Sequence, residues 1–324
     1  MRARHGIDVR SSLAGACLAL SCVALGGGLF AWAGPTGSAL GPMARMLDAV
    51  APGLAVAALG LGGLAALAGA RRAGAVLALA ALGTLAVQVA AYRDLSLPAR
   101  PGLDPDLRVL FFNVEGDNGI SGARILNAVL EASPDIVVLA EAAPLAPHLD
   151  ALREAYDFVS DCGAEGCDLM VATRLEVLRF WRLRLNPAWP ARYAVLEVET
   201  GDGAPVFFAA SHLAKPWMSG IAEPEITRLA AQYDWLSGPA LAVGDFNMTS
   251  WSRPMRGLLR ETGFRALRGQ PASWPAAAGR FGLPIDHVLV RDGVRVVRVA
   301  PFGAELGSNH RGFVAELRVA QRPG

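Results

Sequence analysis

Residues 241–250 read LAVGDFNMTS. With Pro239 and Ala240 before it, the apolar run ends abruptly at Asp245, Phe246 and Asn247. A short uninterrupted apolar run bounded by turn residues predicts a buried strand. Two short polar residues then stand at its mouth. Such residues form turns, or they carry chemistry on a loop held by a rigid scaffold. The neighbouring stretches decide between the two.

The same pattern recurs along the chain. Strands are predicted over 107–114 (LRVLFFNV), 135–141 (DIVVLAE), 169–172, 177–185, 193–198, 206–210, 240–243, 287–290, 294–299 and 313–319. Helices are predicted over 121–133, where Ser121 caps and Ile125, Val129 and Leu130 keep helical spacing, and over 223–236 and 253–262. The stretch 271–282 reads as a loop. Many strands with few helices predict two packed sheets with helices on the outer faces. One buried strand after another ends in a short polar group: Asn113, Glu141, His212, then Asp245 with Asn247. Asp286 precedes the run VLV, and GSNHRG sets Asn309 and His310 just before the last strand.

Singly, each has an ordinary explanation as a turn former, a solvated carboxylate or a structural histidine. Together they form one inventory. Asn113 and Glu141 supply oxygen ligands of the kind Mg²⁺ accepts beside water and a substrate phosphate. Asp245 can hold an attacking water, and Asn247 can donate to a phosphoryl oxygen. Two histidines can share proton transfer and charge stabilisation, with Asp286 fixing one imidazole. The inventory fits metal-assisted hydrolysis of a phosphate ester.

In this order and spacing, FNV, LAE, SHL, GDFN, PIDHVLV and GSNHRG resemble the endonuclease/exonuclease/phosphatase superfamily over about 107–320. The resemblance implies a four-layer αββα sandwich of two mixed sheets. It implies that Asn113, Glu141 and Asn309 serve the metal, Mg²⁺ with Mn²⁺ as a substitute. His212 would donate a proton, Asp245 position the water, Asn247 steady the transition state and Asp286 orient His310. The family usually reads Ser-Asp-His where this chain has Ser308-Asn309-His310. Asparagine keeps the size but loses the charge, so a degenerate binding module stands beside the active enzyme as an alternative.

The first third differs in kind. Of the chain's residues, 53% are hydrophobic, and the excess lies in 13–92, built almost wholly from Ala, Leu, Gly and Val. Three uncharged stretches, 13–33, 50–70 and 73–92, have the roughly 20 residues that span a bilayer core. Three in succession argue against a cleaved signal peptide. The expected organisation is a three-helix anchor over 1–92, a Pro-rich linker over 93–106 and a catalytic domain over 107–324. Small residues such as Gly60, Gly62, Gly63 and Gly69 permit close helix packing. Arg2, Arg4 and Arg10 precede the first span, and Arg71 and Arg72 fill the turn between the second and third. Positive flanks stay cytoplasmic, so the expectation is a multi-pass inner-membrane protein with its catalytic domain periplasmic or extracellular.

Cys162 and Cys167 in DCGAEGCD agree, since two cysteines with four residues between them, glycines among these, can close a small disulfide loop in an oxidising compartment. Half a zinc site is the rival reading, without a second Cys or His pair nearby. Over 107–324 there are 22 Arg and Lys against 24 Asp and Glu, 22 − 24 = −2. Long nucleic acid normally calls for a basic footprint. Trp217 and Met218 after His212, and Trp251 after Asn247, could stack on bases, enter a lipid interface or simply pack. The expected substrate is a phosphate ester, a phospholipid headgroup or nucleic acid, with the bilayer as the other partner. An anchored endonuclease of the same mechanism is the second reading, and no protein partner can be inferred.

Overall fold

The computed structural model describes residues 8–34, 39–161, 167–189, 191–200 and 205–319. The chain divides into two units, Met1–Asp94 with Trp251–Arg253, and Leu95–Ser250 with Pro254–Gly324.

In the first unit the described helices are α1 (Val9–Ala33), α2 (Gly41–Asp48), α3 (Ala51–Leu67) and α4 (Arg71–Asp94). α1 and α4, of 25 and 24 residues, are long and apolar enough to cross a membrane. The middle span expected over 50–70 differs. α3 has 17 residues, about 25 Å at the helical rise, and meets α2 at a bend of 73°. Pro52, in the first turn of α3, accounts for the break: it lacks an N–H and starts a helix well but cannot continue one. Among the described residues there are thus two helices of spanning length, or three if the bent pair is one span.

Arg71 and Arg72 open α4 rather than forming the turn before it. Arg10 donates from Nε to Ala68 O (3.1 Å) and from Nη2 to Leu67 O (3.2 Å), closing the C-terminal end of α3, where a cation offsets the helix dipole. A Cβ on Gly74 would lie 2.5 Å from both Ala66 N and Gly62 O, so α3 and α4 touch backbone to backbone. Gly60 and Gly63 face open space and carry no such approach.

The second unit is built on two sheets. One has the order β1 (Ser96–Leu97), β10 (Arg265–Leu267), β11 (Asp286–Arg291), β9 (Ala240–Asp245), β8 (Pro205–His212), β7 (Tyr193–Glu199), β6 (Val177–Arg182). The other runs β12 (Val294–Phe302), β13 (Gly312–Val319), β2 (Leu107–Asn113), β3 (Ile136–Ala140), β5 (Leu169–Thr173), β4 (Phe158–Val159). Both are mixed, with parallel pairs β8/β9 and β2/β3 near their centres and β1/β10 at one edge. Apolar residues from both sheets, among them Val109, Phe111, Val138, Leu196, Phe208 and Val243, fill the space between them. α7 (Ala222–Trp235) and α8 (Arg253–Thr262) send Leu229, Tyr233, Met255 and Leu259 onto the outer face of the first sheet. α5 (Gly122–Glu131) and α6 (Leu149–Ala155) send Ile125, Val129 and Leu152 onto the outer face of the second. The result is a four-layer α/β sandwich. Central strands are apolar on both faces because both are covered.

Three details differ from the sequence reading. The stretch 93–106 is no plain linker: α4 runs to Asp94, and Ser96–Leu97 pair with β10. The two-residue strands β1 and β4 and the three-residue β10 are too short to show alternation. Residues 143–148, containing Pro144 and Pro147, and 276–281 form 3₁₀ turns where prolines and small residues suggest loops.

Candidate active site

Strand register assembles the site. In the first sheet His212, at the end of β8, pairs with Asp245, at the end of the parallel β9, and Asp245 pairs in turn with Asp286, which opens the antiparallel β11. In the second sheet Asn113 pairs with Ala140, and Ala140 with Leu169. Glu141 and Asp168 therefore face each other one step beyond, where Glu141 N donates to Asp168 O at 2.7 Å. Parallel pairs bring strand ends together on the same side, and here both sheets do so.

The side chains meet around Asp245. Its Oδ2 accepts from Asn113 Nδ2 (3.1 Å) and lies 3.7 Å from His310 Nε2 and 3.9 Å from His212 Nε2. His310 Nδ1 bonds Asp286 Oδ2 at 2.9 Å. Ser308 fixes the loop that carries it, donating from Oγ to Asn113 O (2.7 Å) while accepting from His310 N (3.0 Å). Asn247 has φ +53°, which the hydrogen bond from its N–H to Asp245 Oδ1 (2.8 Å) accompanies. Its Nδ2 donates to Leu213 O at 2.8 Å, leaving one amide hydrogen uncommitted. His212 Nε2 is 3.7 Å from Glu141 Oε1.

Burial opposes charge on His310, but the Asp286 and Asp245 carboxylates outweigh it and push its pKa up to about 9. His310 is therefore an imidazolium at neutral pH. Burial, reinforced by the charge of Asp286, raises Asp245 above an ordinary carboxylate.

Three members of the cluster were not singled out from the sequence. Asp168 Oδ1 bonds His212 Nδ1 at 2.9 Å, and its other oxygen takes Arg192 Nε. Burial raises Asp168, but its bonds and charge pairing with His212 and Arg192 prevail and hold it low. The signal was there: Asp168 stands immediately before the apolar run of β5, as Asp286 stands just before the run VLV of β11. Glu115, two residues past Asn113, accepts from Asn309 N (2.8 Å) and Asn309 Nδ2 (2.6 Å).

The expected metal residues are thus arranged differently from a simple ligand triplet. Asn113 turns its Nδ2 toward Glu141 Oε1 (3.3 Å) and Asp245, and its Oδ1 accepts from Glu115 N at 3.0 Å. Asn309 turns its amide to Glu115. Both asparagines hold carboxylates in place. Among the described residues, Asp245, Asp286 and His310 also bring one ligand atom each within 4.8 Å of one another. An imidazolium has no free lone pair, so a cation there would have to displace the proton that Asp245 and Asp286 stabilise. Glu141, its side chain 32% exposed, fits a hydrated divalent cation better: a hard carboxylate with room for water.

Replacing Asn309 with aspartate should set two carboxylates against each other across the 2.6 Å contact with Glu115. The expected cost at this exposed site is about 1 kcal/mol, read as a Tm drop of about 2–4 °C in EDTA. Glu115→Gln in the same chain should restore it. An unchanged Tm would mean that the Glu115–Asn309 contact does not hold in solution.

Cys167 is disulfide-bonded, and Cys17 and Cys22 are free; Cys162 lies outside the described residues. Met218 lines the cavity beside His212, and Trp217 is exposed. Trp251 belongs with the helical unit, where its Nε1 donates to Ala49 O (3.0 Å).

The four-layer sandwich thus gathers two His–Asp pairs, a carboxylate and amides at one end of both sheets, groups suited to phosphoester hydrolysis. Residues 110–310 match the model of the Endonuclease/Exonuclease/phosphatase family, and the chain belongs to that family. Similar solved structures include D. rerio TDP2 humanized by 14 mutations, with 15% identity over 65% of this chain and 98% of that one, TM-score 0.53. The endonuclease/exonuclease/phosphatase from Beutenbergia cavernae DSM 12333 is 19% identical over 67% of this chain and 72% of that one, TM-score 0.53. The human Nocturnin catalytic domain with bound sulfate is 15% identical over 69% and 97%, TM-score 0.51. At these identities the likeness is one of fold. No curated protein sequence matches the chain.

Proposed function

We propose that this is a membrane-anchored, divalent-metal-dependent phosphoesterase, cleaving a phosphodiester or phosphomonoester by water attack with its site outside the cytoplasm. The observation that carries the reading is the single oxygen Asp245 Oδ2 set between two imidazoles and an amide, 3.7, 3.9 and 3.1 Å away. A carboxylate made more basic by burial accepts the proton of a water that attacks phosphorus. As the bond to the leaving oxygen breaks, His212, held through Nδ1 by Asp168, returns a proton to that oxygen. The His310 imidazolium, oriented by Asp286, and the free amide hydrogen of Asn247 face the charge that accumulates on the phosphoryl group. A Mg²⁺ or Mn²⁺ ion held at Glu141 would neutralise further phosphoryl charge.

The anchor reading rests on α1 and α4. Arg10 lies at the end of the bundle where α3 finishes and α4 begins with Arg71 and Arg72. Arginines gathered at one end favour that end inside. The disulfide at Cys167 favours an oxidising compartment for the catalytic unit. A domain tethered to a bilayer, without a net basic charge, favours phospholipid headgroups over long nucleic acid.

The test uses the full chain in detergent, with a DNA oligonucleotide and dispersed phospholipid followed together by phosphorus-31 NMR. In EDTA neither spectrum should change; with Mg²⁺ a new resonance should appear and name the substrate. No change in either substrate with Mg²⁺ or Mn²⁺ would overturn the reading in favour of a binding module.

A further inference from the structure

Beside His212 and Glu141 opens a cavity of about 450 Å³, walled by Trp189, Arg192, Lys215 and Met218. Its volume lies in the range of pockets that enclose a discrete chemical group. None of these four residues takes part in the proton transfers described above.

The walls are fixed from behind by one buried group. Glu225, on α7, accepts from Asn186 Nδ2 and from Ala214 N, and Asn186 Oδ1 in turn accepts from Trp189 N at 2.8 Å. A single carboxylate, 1% exposed, thus ties the loop carrying Trp189 to the loop carrying Lys215. Burial raises its pKa, against the hydrogen bonds from Ala214 and Asn186. A carboxylate kept in such a place is a strut.

The charges in the cavity are not balanced in kind. Arg192 gives its Nε to Asp168 and lays its guanidinium 4.4 Å over the Trp189 ring. That leaves its two Nη groups without a hydrogen bond among the described residues. Lys215, the only lysine in the chain, has no carboxylate partner among the described residues, its Nζ lying 5.7 Å over Trp217. Glu141 is the carboxylate a cation would occupy, and Asp168 is committed to His212 and Arg192. What remains is an ammonium and the free edge of a guanidinium, facing the same space as the proton donor.

We infer that this cavity is a subsite for a second phosphate group, carried by the substrate next to the phosphate that is cleaved, with Lys215 and the Nη groups of Arg192 as its donors. The inference rests on the phosphoesterase reading and narrows it to esters bearing an additional phosphate. A phosphorylated lipid headgroup and a 5′-phosphorylated nucleotide ester share that chemistry.

The test compares two matched pairs with the full chain in detergent and Mg²⁺: dTpdT against pdTpdT, and phosphatidylinositol against phosphatidylinositol 4-phosphate in mixed micelles. Bis(p-nitrophenyl) phosphate, which lacks a second phosphate, reports whether the protein hydrolyses esters at all. In the pair that is turned over, kcat/KM should favour the phosphorylated member by about tenfold, the scale of charge-assisted hydrogen bonds. Lys215→Ala should bring that ratio close to one, and Lys215→Arg should keep most of it. The arm that responds names the source. Equal rates within both pairs, from a protein that hydrolyses bis(p-nitrophenyl) phosphate, overturn the subsite and leave the phosphoesterase reading intact. So does a preference that survives Lys215→Ala. No turnover of any substrate overturns the phosphoesterase reading and the subsite with it.

Discussion

Replacing His310 with glutamine should lower kcat on a hydrolysed phosphodiester by about a thousandfold, the scale of a lost acid–base or charge-stabilising group. The side chain is buried, its Nδ1 is held by Asp286 at 2.9 Å, and its Nε2 points to Asp245 at 3.7 Å. Glutamine fills similar space but brings no charge. Two buried carboxylates would then face each other without the cation between them, and Asp245 would be pushed further toward its protonated form. A protonated Asp245 cannot accept a proton from water, so one substitution disables two groups. The folded-state pKa of His310 is raised from the usual 6.5 to about 9. The stabilising charge pairing is therefore complete below about 6.5 and lost as pH rises through about 9. Activity should fall over the same alkaline limb in the parent protein, and the limb should vanish from the residual activity of the variant. Steady-state kinetics with circular dichroism as a fold control checks both. A kcat within tenfold of the parent would remove His310 from the chemistry.

Gly244→Ala should prevent stable folding of the second unit. A Cβ at this position would stand 1.9 Å from Ser211 O, 2.8 Å from Ser211 C and 3.0 Å from Ser211 N. All three are backbone atoms, so no side-chain rotation relieves the clash. Relief requires β8 and β9 to separate, and these two strands hold His212 and Asp245 in register. The expected loss exceeds about 4 kcal/mol, a large part of the 5–15 kcal/mol that typically separates folded from unfolded protein. Thermal denaturation should show a fall in Tm above 10 °C, or no cooperative transition. A Tm within a few degrees of the parent would contradict the close approach of these strands. The glycine of GDFN is thus a packing requirement, and the Asp and Asn that follow are the chemistry it makes room for.

The sandwich was legible because its central strands are covered on both faces, which writes continuous apolar runs such as VLFF, IVVLA and LAVG into the sequence. Edge strands of two or three residues leave no such trace. Asn113, Glu141, His212, Asp245, Asn247, Asp286, Asn309 and His310 could be picked out because each lies just past or just before an apolar run. Glu115 could not, since acidic residues in loops are common, and Asp168 carried only the weak signal of preceding an apolar run; their meaning lies in which strand end they oppose. Asp168 was further masked by its setting in DCGAEGCD, where the cysteines draw the reading. Trp251 takes the plainest of the three readings its sequence leaves open, packing, with Nε1 on Ala49 O and its ring edge-on to Tyr92.

The two His–Asp bonds have a mechanical consequence. His212 ends a strand of one sheet and its partner Asp168 precedes a strand of the other; His310 precedes a strand of the second sheet and its partner Asp286 opens a strand of the first. Both pairs therefore cross from one sheet to the other, like two pins between parallel plates. Sliding one plate past the other would disturb both pins together. The site is thus a gauge of how the sheets are seated, and both imidazoles are aligned only when the apolar filling between the plates is complete.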